Sequence, residues 1–548
     1  MIQAATEEDN NNIIEKFIDV NVRKENEVNS RLTEFYETYK NSSTFIGPEV
    51  TSGAKTAFVD SLIDSLSSCI HNELEWSDKT KFLALQALRI LCREPEGCEG
   101  VFTSSGISLL MEYAGLKPTG KGKKSEDIIE PTKEFNNIVI ESMKCLSNAL
   151  LQNRQSQEFF DNNNGIKSLL VNLKEVKNNS LQAQFLILRL IFLSTIYQEN
   201  TSEVMDEYNA IEDLIDLFQP ILENISESSK TFSTTILPGE ISYSIVISEI
   251  LKVLFNMMVN EKKKDTDIQS SASITVDEEI AKKYERFIPL IVEYFVKSNM
   301  PNPPLSPPYT HAIHALMNFP VKGFESKFFP NEDYSIIDVL SDVLEVTIKQ
   351  SNISHSMEND DAALINGSPA DSVLPPLIIL MTNLVKDNTE ARSKLKERIL
   401  PSEFNRSKPL NVGESIRACL IRLMTNTLLG NSRETISTLL YTLCDSNANV
   451  FVNQVGYGNA IGYLVNHQLM GELNNTVDEN APNDQNINPI TGQIEDDNKE
   501  DPFKNMTDEE KEREAERLFV LFDRLNKTGV IKVMPKPADA DNIVNDLD

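Results

Sequence analysis

The chain has 548 residues, 40% of them hydrophobic, and carries a formal net charge of −31 at pH 7. This length predicts roughly three or four ordinary domains, or one long repeat array with a large buried core. The acidic charge argues against nucleic acid or an anionic membrane as the main partner, because both are polyanions, whereas it permits a partner with a basic element.

The N-terminus and the cysteines indicate a cytoplasmic protein. The first residues, MIQAATEEDNNN, are polar and contain no secretory signal. The six cysteines form no CxxC pair and mostly lie in apolar helical runs, so we expect buried, reduced thiols. The most apolar run, FLILRLIFL (185–193), is too short to span a bilayer and contains Arg189. We therefore expect no integral membrane segment.

Helical periodicity recurs from Ile13 to Leu464, and strand patterns are scarce. Several of these helices end in a short segment, which we call a step, where Leu or Met is followed closely by Asn. The spacing between successive steps fits a repeat of ~40–47 residues with insertions. We therefore predict an all-α protein, an armadillo/HEAT-like repeat superhelix over residues 1–470. The related segments are ALRILCR (87–93), MKCLSN (143–148), LILRLIFLS (186–194), LKVLFN (251–256), IHALMN (313–318), ILMTN (379–383) and IRLMTN (421–426).

The Asn that ends these steps has two interpretations. It could be a buried amide that hydrogen-bonds the backbone of the neighbouring repeat. It could also belong to a row of amides along a concave groove that grips a peptide. The candidates for this second role are Asn148, Asn256 and Asn318.

Arg89 and Arg93 are four residues apart on an early helix of the array, so both lie on one face, one turn apart. They could pair with Glu94 or with neighbouring acids. They could also form a cationic site for a carboxylate, such as the C-terminus of a partner. Asn148 falls on the equivalent helix one repeat further on and could join them.

Three motifs resemble cofactor sites and fail on inspection. The segment GLKPTGK (115–121) begins like a P-loop, but Gly122 stands where Ser or Thr should hold magnesium. VGYGNAIG (455–462) is one residue off the dinucleotide-binding spacing and fits a tight turn between helices better. His311 and His314 have no Cys or carboxylate at metal-ligand spacing. We predict no catalytic residues, cofactor or metal.

Polar segments are predicted to interrupt and to follow the array. Insertions are expected near 115–132, 260–279 and 351–372. Residues 471–505 are acidic and poor in large apolar residues, so we predict a flexible linker. A disordered tail is predicted at 531–548.

Between the linker and the tail, residues 506–530 are predicted to form one amphipathic helix. Thr507 and Glu510 make a capping box at its start. The helix could cap the end of the array, or it could bind a partner at the end of its tether. The apolar side chains that share one face are Ala515, Leu518, Phe519, Phe522 and Leu525.

Taken in order, several segments resemble the synembryn family of cytosolic exchange factors and folding chaperones for heterotrimeric G-protein α subunits. The resemblance covers most of residues 80–535. The run of VGYGNAIGYL, INPITG and the terminal helix is its most specific part. The matching segments are ALRILCR, KCLSNALLQN, LKVLFN, HALMNFPVKG (314–323), NRSKPL (405–410), SIRACLIRLMTN (415–426), VGYGNAIGYL (455–464), INPITG (487–492) and MTDEEKEREAERLFVLFDRLNKTGVI (506–531).

The resemblance implies a repeat superhelix without a nucleotide site of its own. Such a protein binds a GDP-bound or nascent α subunit, holds its C-terminal helix in the concave groove, promotes GDP release and stabilises the nucleotide-free form. Arg89, Arg93 and Asn148 match the groove positions that would receive the C-terminal tail of the α subunit. The segment from Asn488 through 507–528 matches the family's C-terminal element, which packs on the nucleotide-binding domain of the α subunit.

Two further expectations follow from the resemblance. The clamp on the α subunit would consist of Leu518, Phe519, Phe522 and Leu525. The family often carries acidic-kinase phosphosites in the linker, and here only Thr476, in TVDE, has that form. We expect a monomer that reaches the plasma membrane through its partner.

The alternative function is a non-catalytic armadillo scaffold or transport adaptor that binds peptides in its groove. A nuclear-transport adaptor should have a basic N-terminal arm, whereas this N-terminus is acidic and polar.

Overall fold

The computed structural model describes residues 21–41, 52–116, 132, 134–196, 201–228, 241–265, 275–351, 364–365, 367–404, 406–473 and 507–527. Over these residues the protein has 23 α-helices, two short 3-10 helices and one two-stranded hairpin, which confirms the all-α prediction. The helices form two compact units, residues 1–298 and 299–548.

The first unit contains thirteen of the described helices. They are α1 (Glu25–Tyr39), α2 (Ser52–Ile70), α3 (Asp78–Leu91), α4 (Ser104–Tyr113), α5 (Asn137–Gln152), α6 (Arg154–Asn162), α7 (Gly165–Val176), α8 (Leu181–Thr195), α9 (Thr201–Glu207), α10 (Ala210–Ser228), α11 (Tyr243–Asp265), α12 (Glu278–Tyr284) and α13 (Phe287–Lys297).

These helices stack in two rows. In the first row, which we call the inner row, α1 packs on α3, α3 on α5, α5 on α8 and α8 on α11. In the second row α2 packs on α4, followed in turn by α6, α7, α10 and α13. Helix α8 is apolar nearly all round and is covered by α5, α7 and α11, since such a helix must bury most of its surface. The predicted stack of helix pairs is therefore confirmed in this unit.

Among the helices that the structure describes, one is long and apolar enough to cross a membrane. It is the stretch Tyr243–Lys262 of α11, and 61% of its most apolar window is buried inside the protein. It packs against α8 and α10, which is the position of a core helix.

The second unit holds the remaining elements. They are α14 (Tyr309–Met317), α15 (Glu325–Phe328), a 3-10 helix (Pro330–Glu332), α16 (Ser335–Ser351), β1 (Leu364–Ile365), β2 (Ser368–Pro369), α17 (Ala370–Lys386), α18 (Thr389–Ile399), α19 (Ile416–Met424), α20 (Gly430–Leu443), α21 (Ala448–Val455), α22 (Tyr457–Asn466), a second 3-10 helix (Leu469–Glu472) and α23 (Asp508–Lys527).

The ladder of stacked helices in this unit differs from the sequence prediction at one step. Helix α14 packs on α17, as the Asn spacing suggests, but α17 packs on α20 rather than on the IRLMTN helix α19. Helix α19 packs on α20 and ends at Met424, and the side chain of Asn426 accepts a hydrogen bond from the Leu428 N–H in the following turn (2.8 Å). Asn426 therefore ends a short connecting helix and not a step of the ladder.

The predicted linker and tail fall almost wholly outside the described residues. Of the linker 471–505, only residues 471–473 are described, and the tail 531–548 is not. Helices reach into two of the predicted insertions, because α11 continues to Asp265 and α17 already begins at Ala370. The domain boundaries therefore stay predictions.

Candidate functional site

Arg89 lies near the end of α3 and is held by an acidic side chain from the next helix of the inner row. Its Nε donates to Glu141 Oε2 of α5 at 2.7 Å, and Lys144 Nζ donates to Glu141 Oε1, also at 2.7 Å. The Glu141 side chain is only 5% exposed, whereas that of Arg89 is 22% exposed. Two cations thus share one buried carboxylate, and the acidic partner of Arg89 is Glu141, one of the neighbouring acids.

Arg93, one turn further on, binds the end of α1. Its Nη1 donates to the carbonyl of Tyr39 (3.1 Å) and its Nη2 to that of Lys40 (2.9 Å). The last carbonyls of a helix have no partner within the helix, so Arg93 caps α1. Burial, with Arg89 beside it, lowers the pKa of Arg93.

Amide side chains of α5 join this group. Asn148 Nδ2 donates to the carbonyl of Arg89 (3.1 Å), and Gln152 Nε2 donates to that of Arg93 (3.2 Å). The structure therefore brings Arg89, Arg93 and Asn148 together at one edge of the inner row. With Lys144 they form what we call the basic cluster, in which three cations accompany the carboxylate of Glu141.

The same arrangement recurs two steps further along the inner row, between α8 and α11, and the sequence prediction missed it. Glu249 of α11 has a side chain only 5% exposed, and it lies 3.6 Å from Arg189 Nη1 and 2.5 Å from Lys252 Nζ. The Phe192 ring lies beneath both cations, with its centroid 5.6 Å from Arg189 Cζ and 4.5 Å from Lys252 Nζ. Burial lowers the pKa of Lys252, and Glu249 opposes that shift.

The available sequence signal for this repeat was a shared offset. Arg89, Lys144, Arg189 and Lys252 each stand four residues before a position at or next to the end of its segment, and these positions are Arg93, Asn148, Leu193 and Asn256. Aligning the segments on these positions would have revealed a cation in each of four successive inner helices.

The other two candidate asparagines differ from each other. Asn256 Nδ2 donates to Thr195 Oγ1 (3.0 Å) and to the Phe192 carbonyl (3.4 Å) on α8, which parallels the contact of Asn148 with α3. Asn318 is only 5% exposed, and its Nδ2 donates to the carbonyl of His314 in its own helix (2.6 Å). The amides of Asn148 and Asn256 thus connect successive helices, as the structural interpretation expects.

Helix α23 exposes large apolar side chains. Leu518 is 51% exposed and Phe519 is 74% exposed. The capping box is present, because the Thr507 N–H donates to Glu510 Oε2 (2.9 Å) and the Glu510 N–H donates to Thr507 Oγ1 (3.3 Å). The side chains of Phe522 and Leu525 lie outside the described residues, as does Thr476.

Two of the three motifs that resemble cofactor sites are helical segments or turns between helices in the structure. Gly456, with φ of +85°, makes the predicted tight turn between α21 and α22, and the rest of VGYGNAIG from Tyr457 onward belongs to α22. His314 is partly buried in α14, and that burial lowers its pKa. Residues 117–131, which include most of the P-loop-like segment, are not described.

Comparison with known proteins gives a family for most of the chain. The model of the family described as guanine nucleotide exchange factor synembryn matches residues 84–541. Chaperone Ric-8A of Gallus gallus is 26% identical over 480 residues, which are 84% of each chain. Chaperone Ric-8A of Macaca fascicularis is 29% identical over 472 residues, 82% of each chain. Among solved structures, an engineered protein aligns with a TM-score of 0.43 at 12% identity over 85% of each chain.

Proposed function

This chain belongs to the synembryn family of guanine nucleotide exchange factors, and from that premise we propose that it accelerates GDP release from a heterotrimeric G-protein α subunit and chaperones its folding. It would bind the GDP-bound or nascent subunit and stabilise the nucleotide-free form. Binding of GTP to the α subunit would then displace it. Its place of action would be the cytoplasm, with recruitment to the plasma membrane through the partner. We expect it to act as a monomer.

The observation that carries the proposal is the basic cluster. In a chain with a net charge of −31, Arg89 and Lys144 share the buried carboxylate of Glu141, and Arg93 lies close enough to Arg89 for their charges to interact. We propose that a C-terminal carboxylate of a partner binds this group of cations. Arg89 suits this role because its side chain is partly exposed while Glu141, which orients it, is buried.

Glu141 would keep its own neutralising contact when a partner binds. Lys144 donates to one carboxylate oxygen and Arg89 to the other, so Arg89 can turn part of its guanidinium toward a second carboxylate while Lys144 stays in place. Such a site recognises an anionic end without leaving a buried charge unpaired. Asn256 would contact the partner further along the inner row of the first unit, and Asn318 is proposed as a separate partner contact in the second unit.

Exchange without catalytic residues requires differential binding. The chain must bind the loosened, nucleotide-free α subunit better than the GDP form, because a ligand with equal affinity for two states shifts neither. We propose a second contact through the exposed apolar face of α23. Its tether would raise the effective concentration of that contact once the C-terminal tail is bound.

The experiment is release of labelled GDP from a panel of purified α subunits, with substoichiometric amounts of the full chain. Faster release from at least one of them supports the proposal, and heat-denatured protein serves as the control. If release from every α subunit keeps its basal rate while a peptide with its C-terminal sequence still binds, the chain is a peptide-binding scaffold or adaptor instead.

A further inference from the structure

Two arginines line one cavity of the second unit, and they differ in their acidic partners. The cavity has a volume of about 410 Å³ and lies between the end of α18, the loop at 400–415 and the first turn of α19. Arg398 of α18 pairs with three acidic side chains of α16, which are Asp338, Asp342 and Glu345. Arg417 of α19 forms no ion pair with any residue that the structure describes.

Arg417 also lacks hydrogen-bond acceptors, although its side chain is buried. It is only 4% exposed, and its Nη2 donates to the backbone carbonyl of Gln454 on α21 (2.7 Å) and to the side-chain oxygen of Gln454. Its Nε and Nη1 are buried and have no hydrogen-bond partner in the described part of the chain. Since Nε carries one hydrogen and Nη1 two, three of the five N–H groups of this guanidinium lack an acceptor.

The surroundings of Arg417 raise the cost of its buried charge. The centroid of the Phe404 ring lies 3.3 Å from Arg417 Cζ and 4.3 Å from Arg406 Cζ, so two guanidinium groups contact one ring. Burial and the charge of Arg406 lower the pKa of Arg417 to about 10, and the group stays protonated at neutral pH. A buried cation without a counter-charge is costly, and an anion that accepts its unpaired N–H groups would remove that cost.

The walls of the cavity are mostly apolar, and the cavity opens to solvent on the side of the loop. Val412 is 53% exposed, and the carboxylates of Glu403 and Glu414 belong to exposed residues, so solvent screens their charges. Phe404 covers the guanidinium of Arg417 and is itself only half-buried, so rotation of this one side chain would open Arg417 to the cavity. The apolar lining residues include Ile399, Phe404, Pro409, Leu410, Val412 and Ile416.

We propose that this cavity binds a small organic carboxylate with an apolar body, whose carboxylate accepts hydrogen bonds from Arg417 while its body lies against the apolar walls. An inorganic anion would satisfy the guanidinium but would leave those walls without a contact. The first turn of α19 supports an anion, because Ser415 and Ile416 also line the cavity and the start of a helix favours negative charge. The volume of about 410 Å³ is typical of small-molecule sites.

The experiment measures binding of acetate, butyrate and hexanoate to the full chain by isothermal titration calorimetry at neutral pH. We expect the affinity to rise with chain length, by up to about fourfold for each CH₂ group that becomes buried. The uncharged 1-hexanol, which has a similar tail, should bind at least about tenfold more weakly than hexanoate, because it cannot neutralise the buried cation. The site uses no residue of the basic cluster, so the result is independent of the proposed function.

A pair of variants tests the role of Arg417. Arg417→Gln should weaken hexanoate binding by at least about tenfold, because it removes the buried cation that the carboxylate would neutralise. The control is Lys408→Gln, which removes an exposed cation from the same loop outside the cavity lining and should leave the affinity unaltered. Circular dichroism shows whether both variants are folded.

Hydrogen exchange of the unmodified chain locates the ligand even where Arg417→Gln fails to fold. Saturating hexanoate should slow exchange in the peptides that cover 400–420 and the end of α21. The proposal is overturned if no carboxylate of the series binds at millimolar concentrations, if 1-hexanol binds as tightly as hexanoate, or if exchange slows only elsewhere. Displacement of hexanoate by an equal concentration of inorganic phosphate would also overturn it.

Discussion

Arg89 and Glu141 form an ion pair between two successive helices of the inner row, with 2.7 Å between Nε and Oε2. The carboxylate is buried and also accepts a hydrogen bond from Lys144, so its removal leaves two cations without their shared counter-charge. The same ion pair therefore stabilises the packing of α3 on α5 and positions Arg89 within the basic cluster.

We predict that Glu141→Ala lowers the free energy of unfolding by about 1–3 kcal/mol, because it leaves partly buried donors unpaired. Urea unfolding of the full chain measures this change. The control is Glu37→Ala, which breaks the exposed pair of Glu37, 58% exposed, with Lys40. That change should lower stability much less than Glu141→Ala does, because solvent screens an exposed ion pair. Equal losses in the free energy of unfolding for the two variants would show that the buried pair contributes no more to stability than the exposed one.

For the binding role of the basic cluster, we predict that Arg89→Gln combined with Arg93→Gln weakens binding of a peptide from the C-terminus of the α subunit by about 30-fold or more. Neutral glutamine is preferred to glutamate, because a glutamate at 89 would face the buried carboxylate of Glu141. Fluorescence anisotropy with a labelled peptide gives the affinity. Arg31→Gln, an exposed change on α1, should leave the affinity unaltered.

Loss of the Arg93 cap on α1 could lower stability in the same variant. Circular dichroism and a melting curve therefore accompany the binding assay. A folded double variant with wild-type affinity would show that the peptide binds elsewhere.

The pH dependence of stability should contain a contribution from Asp161 on α6. Both of its carboxylate oxygens are buried without a hydrogen-bond partner, and burial raises its pKa from 3.8 to about 7. The folded state thus binds the proton more tightly than the unfolded state does. The contribution of this group to stability falls as the pH rises from about 4 to about 7, and it is constant above that range.

Asp161→Asn removes this penalty. We expect the variant to be more stable than the wild type by about 1–3 kcal/mol at pH 8, with a difference that shrinks as the pH falls toward 4. Denaturant unfolding at several pH values measures it. Glu158→Gln, exposed on the same helix, should show no such pH-dependent gain. A constant difference at every pH would contradict the assignment.

Deletion of residues 506–548 should reduce GDP-release activity far more than thermal stability. The point variant Phe519→Ser should act in the same direction, because Phe519 is 74% exposed and its loss opens no cavity in the core. Release assays and melting curves are compared with those of Glu516→Ala, a polar change on the same helix. A collapse of the melting temperature would instead make α23 a cap on the array.

The sequence predicted helices better than it predicted their neighbours. Arg89 and Arg93 could be recognised because a spacing of four residues predicts one helix face, although α3 ends at Leu91 and Arg93 lies just beyond it. Their contacts lie more than fifty residues away, with Glu141 and Tyr39, and no local pattern specifies such pairs. For the same reason the motif at Asn426 correctly marked a helix but assigned it to the wrong step.

The position of Arg189 and Lys252 over the Phe192 ring and the position of Lys55 beneath Gly97 were likewise invisible to periodicity. Both depend on backbone geometry between helices that are distant in the chain. In the case of Lys55, the only local signal was Gly97, whose positive φ becomes meaningful once the lysine beneath it is known.

The amide contacts of Asn148 and Asn256 also have a mechanical consequence. Each side chain donates a hydrogen bond to a backbone carbonyl near the end of the preceding helix of the inner row. Apolar packing alone resists the separation of two helices but opposes their axial sliding only weakly, whereas a directed hydrogen bond fixes their register. The first unit should therefore be stiff in shear between neighbouring helices. A unit whose helices keep their register can exert force on a bound partner helix without deforming itself.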